Sequence, residues 1–152
     1  MTPGRLSLLL ALAPLPALSQ SVELCDWQAS AQALVEPWEE NTRTFANGAV
    51  RIAALDTTEP ANASAYLLLL SPPRTLLGER QCRVVGWSEG LGFTALFFED
   101  LTSDYDPSRG LIFTVPARIY DPALDFANAA RLTVVLNQST GDIDATLELG
   151  RD

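Results

Sequence analysis

The sequence predicts a mainly β protein: an antiparallel sandwich or irregular barrel of about seven to eight strands, with a short N-terminal helix. Three observations carry this. Short runs rich in Val, Ile, Leu, Phe and Thr recur along the chain, divided by Gly, Pro, Asn and Asp. The last two runs alternate apolar and polar residues with period two. Hydrophobic residues make up 47% of the chain, enough to fill a core behind such strands.

The chain opens MTPGRLSLLLALAPLPALSQ. Arg5 precedes an apolar run from Leu6 to Leu18, and Ala17 and Ser19 are small residues where a signal peptidase inspects the chain. This is the pattern of a signal peptide over residues 1–19, cleaved after Ser19. The run is shorter than the roughly 20 residues of a membrane span and contains Pro14 and Pro16, so no membrane insertion is expected. Residues 20–152 then form a single β-rich domain, soluble and either periplasmic or secreted.

The elements follow in order. Residues 26–40, DWQASAQALVEPWEE, have weak helical character; Ser30 is the expected cap, and Pro37 ends the helix after Val35. In TRTFANGAVRIAALDT, Asn47-Gly48 separates two β-prone runs, the pattern of a tight type I′ hairpin. AYLLLL, residues 65–70, is apolar without alternation and reads as a strand covered on both faces. CRVVGW and FTALFFE are two further short strands. In LIFTVPARIY, residues 111–120, the odd positions are all apolar. Pro116 lies within it and lacks an N–H for a ladder, which predicts an edge or a bulge. Asp-Pro at 106–107 and 121–122 marks turns on either side. RLTVVLN and DIDATLEL form the last hairpin through QSTG, with one apolar and one acidic face.

Charge and composition exclude much chemistry. There are 19 acidic residues against 10 basic ones, all arginine, for a net charge of −9. Such a chain repels phosphate backbones and anionic headgroups, so no nucleic-acid partner is expected. A cationic protein is one compatible partner. The two cysteines, Cys25 and Cys82, predict one disulfide in an oxidising compartment. The chain-entropy model assigns that closure roughly 4 kcal/mol.

Gly86-Trp87-Ser88-Glu89-Gly90 matches the G-x-S-x-G of a nucleophile elbow. A serine needs a base, and the chain has neither histidine nor lysine. The next segment also reads as strand where the elbow requires a helix. The motif is therefore read as two turn glycines. The same absences remove Schiff-base chemistry, the P-loop lysine and histidine-ligated zinc or haem. No catalytic residue and no cofactor are predicted.

What survives is carboxylate chemistry and oxygen-ligated metal. Asp100, Asp104 and Asp106 in EDLTSDYDPSRG (99–110) are the metal candidates, for calcium, although the EF-hand spacing is not met. A carboxylate-dependent hydrolase is the remaining enzymatic reading, with no pair of acids singled out. Trp27, Trp38 and Trp87 are candidates for a ligand or interface surface, stacking on a carbohydrate or anchoring a partner. The disulfide is expected to bring Trp27 and Trp87 into one neighbourhood, packed around the bridge rather than exposed, while Trp38 is expected half exposed. Arg74, Arg80 and Arg83 are expected in local charge pairs. Asn62-Ala63-Ser64 and Asn137-Gln138-Ser139 match the glycosylation pattern. The leading reading is an exported, non-catalytic binding or structural domain.

Overall fold

The computed structural model describes residues 18–150. All but the end of the predicted signal peptide lies outside the described residues. The strands are β1 (Leu18–Ser19), β2 (Ser21–Leu24), β3 (Thr42–Phe45), β4 (Val50–Asp56), β5 (Ala65–Arg74), β6 (Arg80–Gly86), β7 (Ala95–Leu96), β8 (Thr102–Asp106), β9 (Gly110–Asp121), β10 (Phe126–Leu136) and β11 (Ile143–Leu149). The three beyond the expected eight are β1, β2 and β8, the last within the acidic 99–110 stretch; of the expected FTALFFE strand only Ala95–Leu96 pairs, and Phe98–Asp100 is a 3-10 turn.

Two antiparallel sheets form. One runs β1-β11-β10-β9-β7, with β8 also on β9; the other runs β2-β6-β5-β4-β3. Neither closes on itself, so of the two expected architectures the fold is the sandwich. Between the sheets lie Ile52, Leu67, Leu69 and Val85 from one side and Phe113, Val115, Leu132, Val134 and Leu147 from the other. Phe45 and Phe113 meet across this core at 4.9 Å between ring centroids.

The alternation of β9, β10 and β11 does what period two requires. Phe113, Val115, Ala117 and Ile119 are buried, as are Leu132, Val134, Leu136, Ala145 and Leu147. The other face keeps Asp144, Thr146 and Glu148, opposite Val135, Thr133 and Arg131. In β5 alternation is absent because both faces are covered. Leu67 and Leu69 enter the main core, while Tyr66 and Leu68 join Ala33, Ala53, Leu55 and Val84 in a second cluster.

Residues 25–35 cover that second cluster, but not as the expected helix. They form two 3-10 turns, Trp27–Ala29 and Ala31–Ala33, interrupted by extended Ser30, whose side chain caps neither. The reason is an open stretch of β4. Strand β3 pairs only as far as Ala53, so Leu34 bridges Leu55 and Val35 N–H donates to Ala54 at 3.1 Å. Those backbone groups are unavailable to a helix.

Pro116 is not at an edge. Strand β9 has β10 along one side and both β8 and β7 along the other. The Pro116 carbonyl accepts from Phe97 N–H at 2.9 Å. In a strand a residue's N–H and C=O point the same way, so the nitrogen without hydrogen faces the break between β8 and β7. No bond to β10 is lost. The β3–β4 turn falls where expected but spans residues 46–49, with Phe45 opposite Val50. Ala46, Asn47 and Gly48 all take positive φ, at 52°, 54° and 84°.

At the N-terminal end, Leu18 and Ser19 pair with Leu147 and Thr146. Gln20 N–H donates to Ala145 at 2.9 Å, and the chain crosses to the other sheet as β2. The expected cleavage after Ser19 would remove β1 and leave the Gln20 nitrogen beside the same carbonyl. No helix among the described residues is long and apolar enough to cross a membrane.

Candidate functional site: a tryptophan-walled cleft

Cys25 and Cys82 form the predicted disulfide, with Cα atoms 5.3 Å apart. It fastens the end of β2 to β6, and Cys25 N–H also donates to the Cys82 carbonyl. The bridge thereby sets where the following segment starts across the sheet. Trp27, two residues on, meets buried Tyr66 edge to face, with centroids 6.4 Å apart and planes at 80°. That geometry suits the ring quadrupoles and fixes one edge of the indole. The rest of Trp27 is open, at 55% exposure.

Facing it is the loop after β4. Asp56 Oδ1 accepts Thr58 N–H at 2.8 Å, and Thr57 Oγ1 donates to the Glu59 and Ser64 carbonyls. Thr58 sits at φ 64°, a conformation that a β-branched residue adopts only under constraint. Between loop and indole lies a cleft of about 370 Å³, lined by Trp27, Ser30, Gln32, Ala33, Asp56, Thr57 and Thr58. Its walls are one aromatic face, hydroxyls, an amide and one carboxylate. No lining residue is cationic, and the two acids of a glycosidase are not both there.

The other tryptophans separate. Trp38 is 53% exposed, as expected, and with Glu36, Pro37 and Glu39 it lines a notch of about 450 Å³. Trp87 packs against the main core. It does not share the neighbourhood of Trp27, because the sheet lies between them. Five residues is an odd step along a strand direction, so Trp87 points to the opposite face from Cys82.

The G-x-S-x-G turn has a structural account. Ser88 and Leu91 exchange backbone bonds at 3.2 and 3.0 Å, and Gly90 takes φ 69°. A Cβ on Gly86 would lie 2.5 Å from the Leu91 carbonyl and 3.2 Å from the Tyr66 ring. The glycines serve a turn and a close approach.

Of the metal candidates, Asp100 lies in the 3-10 turn Phe98–Asp100, and Asp104 and Asp106 lie on β8. Asp104 Oδ1 accepts Tyr105 N–H, and Asp106 Oδ1 accepts both the hydroxyl and N–H of Ser108. These bonds hold the Asp106 carboxyl below its ordinary range, the Ser108 hydroxyl first. Among the described residues, no three acids or cysteines converge as a metal requires.

The clustered arginines meet carbonyls where charge pairs were expected. Arg74 reaches Gly78 at 2.6 Å, Arg83 reaches Cys82 at 2.9 Å and Arg80 reaches Gly48 at 3.5 Å. Among the described residues the one ion pair is Arg131–Glu148, at 4.0 Å and exposed. Asn137 Oδ1 accepts Ser139 and Thr140 N–H groups within its turn.

These features define an antiparallel β sandwich with a disulfide-anchored aromatic cleft. No family model, curated protein or solved structure matches the chain.

Proposed function

We propose that this is an exported, soluble, non-catalytic binding module, periplasmic or secreted, whose Trp27 cleft takes a neutral carbohydrate. The single observation behind this is the half-exposed Trp27 ring walling a cleft of about 370 Å³ whose other side chains are small or polar. A pyranose ring has one face of C–H groups, which stacks on an indole, and an equatorial rim of hydroxyls. Ser30 and Gln32 offer donors for that rim, while Asp56 and the Thr57 and Thr58 hydroxyl oxygens, whose protons are held by backbone carbonyls, offer acceptors. The volume suits one or two sugar units. Export is supported by the disulfide and by the leader-like pattern of residues 1–19. The non-catalytic reading rests on the missing histidine and lysine and on the single carboxylate of the cleft.

The test is titration with a panel of neutral disaccharides, followed by tryptophan emission in a Trp38→Phe background. A saturable change that disappears in Trp27→Ala, while the melting curve stays cooperative, supports the reading. A panel that moves neither the emission nor the melting midpoint removes it.

A second reading concerns Trp38. Glu36 and Glu39 flank its exposed ring around the larger notch, and an aromatic face beside two carboxylates suits an arginine or lysine side chain of a cationic partner. Binding of an arginine-rich peptide should then weaken with salt and with Trp38→Ala. Binding unaffected by both changes would exclude this notch.

A further inference from the structure

Leu76 and Leu77 form the tip of the β5–β6 hairpin and are 107% and 87% exposed. At these exposures neither is covered by any of the described residues. The turn that carries them is nonetheless closed. Thr75 N–H donates to Glu79 at 2.8 Å and Gly78 N–H to Thr75 at 2.9 Å, with Gly78 at φ 84°. The Arg74 guanidinium donates to the Gly78 carbonyl from the side. The two leucines are therefore presented on a hydrogen-bonded support.

Charge is segregated around them. Residues 74–83 hold Arg74, Arg80 and Arg83 against Glu79, a net of +2 on a chain of net −9, so everything outside this stretch sums to −11. The charge of the whole chain disfavours an anionic surface, and the hairpin reverses that locally. Glu79 is the one carboxylate within the turn, beside the Thr75 hydroxyl, and Asp142 stands further back. The Asn137–Asp142 turn lies level with Gln81, whose Nε2 donates to the Gly141 carbonyl at 2.8 Å. From Pro73 to the leucines the hairpin extends roughly 10 Å at strand rise. That is about one Debye length at physiological salt.

We propose that this tip docks on a lipid bilayer surface, with Leu76 and Leu77 entering the acyl boundary and Arg74 and Arg80 facing headgroup phosphates. The reach of the tip matches the roughly 5–10 Å to which interfacial segments bury. A lipid surface is favoured over the other occupants for two reasons. Two side chains on a convex tip fall far short of the ~800 Å² per partner of a standard protein interface. Two copies of so acidic a chain repel each other. The tip and the Trp27 cleft lie at opposite ends of β5, roughly 30 Å apart by strand rise, so this proposal does not depend on sugar binding.

The experiment is co-sedimentation of the full mature chain with vesicles of phosphatidylcholine, and of three parts phosphatidylcholine to one part phosphatidylglycerol. Wild type should pellet with both, more with the anionic mixture, and that excess should vanish in high salt. The double variant L76S/L77S should lose roughly a hundredfold in partition coefficient with an unchanged melting midpoint. R74Q/R80Q should lose only the anionic excess. Failure of the wild type to pellet overturns the proposal, as does pelleting that survives L76S/L77S. A concentration-dependent dimer in light scattering that L76S/L77S abolishes would also overturn it, in favour of a second copy.

Discussion

The Glu23 carboxylate accepts the backbone N–H of Gly90, 67 residues along the chain, at 2.9 Å. The same oxygen accepts the Ser21 hydroxyl, and Tyr66 donates its hydroxyl to the Gly90 carbonyl at 3.2 Å. One acid on β2 thus ties the 86–91 turn to the sheet.

Replacing Glu23 by alanine should therefore cost about 1.5–3 kcal/mol, the range for hydrogen bonds to a charged group. Glu23→Gln, which keeps an acceptor, should cost less. Urea midpoints at neutral pH measure both. Equal midpoints for Glu23→Ala and wild type would show that the tie carries no stability.

The disulfide closes a separation of 57 residues and anchors the segment that covers Ala53, Tyr66 and Leu68. The Cys25→Ser/Cys82→Ser variant should lose about 2–4 kcal/mol. Its loss should also speed hydrogen exchange at Val35 ahead of the β9–β10 ladder, because the segment is released before the sandwich opens. Uniform exchange across both regions would contradict that order.

Backbone strain gives a pair of opposite outcomes. Ala46 sits at φ 52°, so Ala46→Gly should stabilise the protein by about 0.5–1 kcal/mol. Gly110 takes φ 107°, and a Cβ there would lie 2.1 Å from the Leu136 carbonyl. Gly110→Ala should destabilise by more than the first change gains. Thermal melts of the two variants should move in opposite directions.

Two tyrosines set an alkaline limit. Burial, and then the Glu23 carboxylate, raise the Tyr66 hydroxyl above its ordinary value. The hydrogen bond to Asp125 raises Tyr120. A folded pKa above the unfolded one means stability that is whole below about pH 10 and lost as pH rises through the folded value. Urea midpoints should fall as pH rises above about 10, the ordinary tyrosine value, and less steeply in Tyr66→Phe. Asp106 runs the other way: its lowered carboxyl contributes above the ordinary carboxylate range, and that contribution goes as pH falls. Ser108→Ala should bring the Asp106 titration, followed by NMR, back towards the ordinary value.

Local patterns in the chain determined a good deal. Period two in β9, β10 and β11 specifies which side chains face inward, because successive residues of a strand point to opposite faces. The unbroken apolar run of β5 signals cover on both sides. Two cysteines admit one intramolecular bridge, and the absence of histidine and lysine holds whatever the fold. The exposed Leu76-Leu77 tip was not anticipated, because an apolar pair beside a glycine does not by itself say that neither leucine turns back into the core. Pairing between distant strands decided the rest. Residues 25–35 became 3-10 turns because β4 offered Val35 and Leu34 a partner that no local pattern announces. Pro116 fits a central strand because β8 and β7 leave a break beside its nitrogen. Trp27 and Trp87 part company because a sheet stands between them, and the cleft exists only where the 57–58 loop meets a segment thirty residues earlier. Short-range preference sets the conformation and the facing of each residue, while what stands opposite that face is set by contacts closed only when the sandwich assembles.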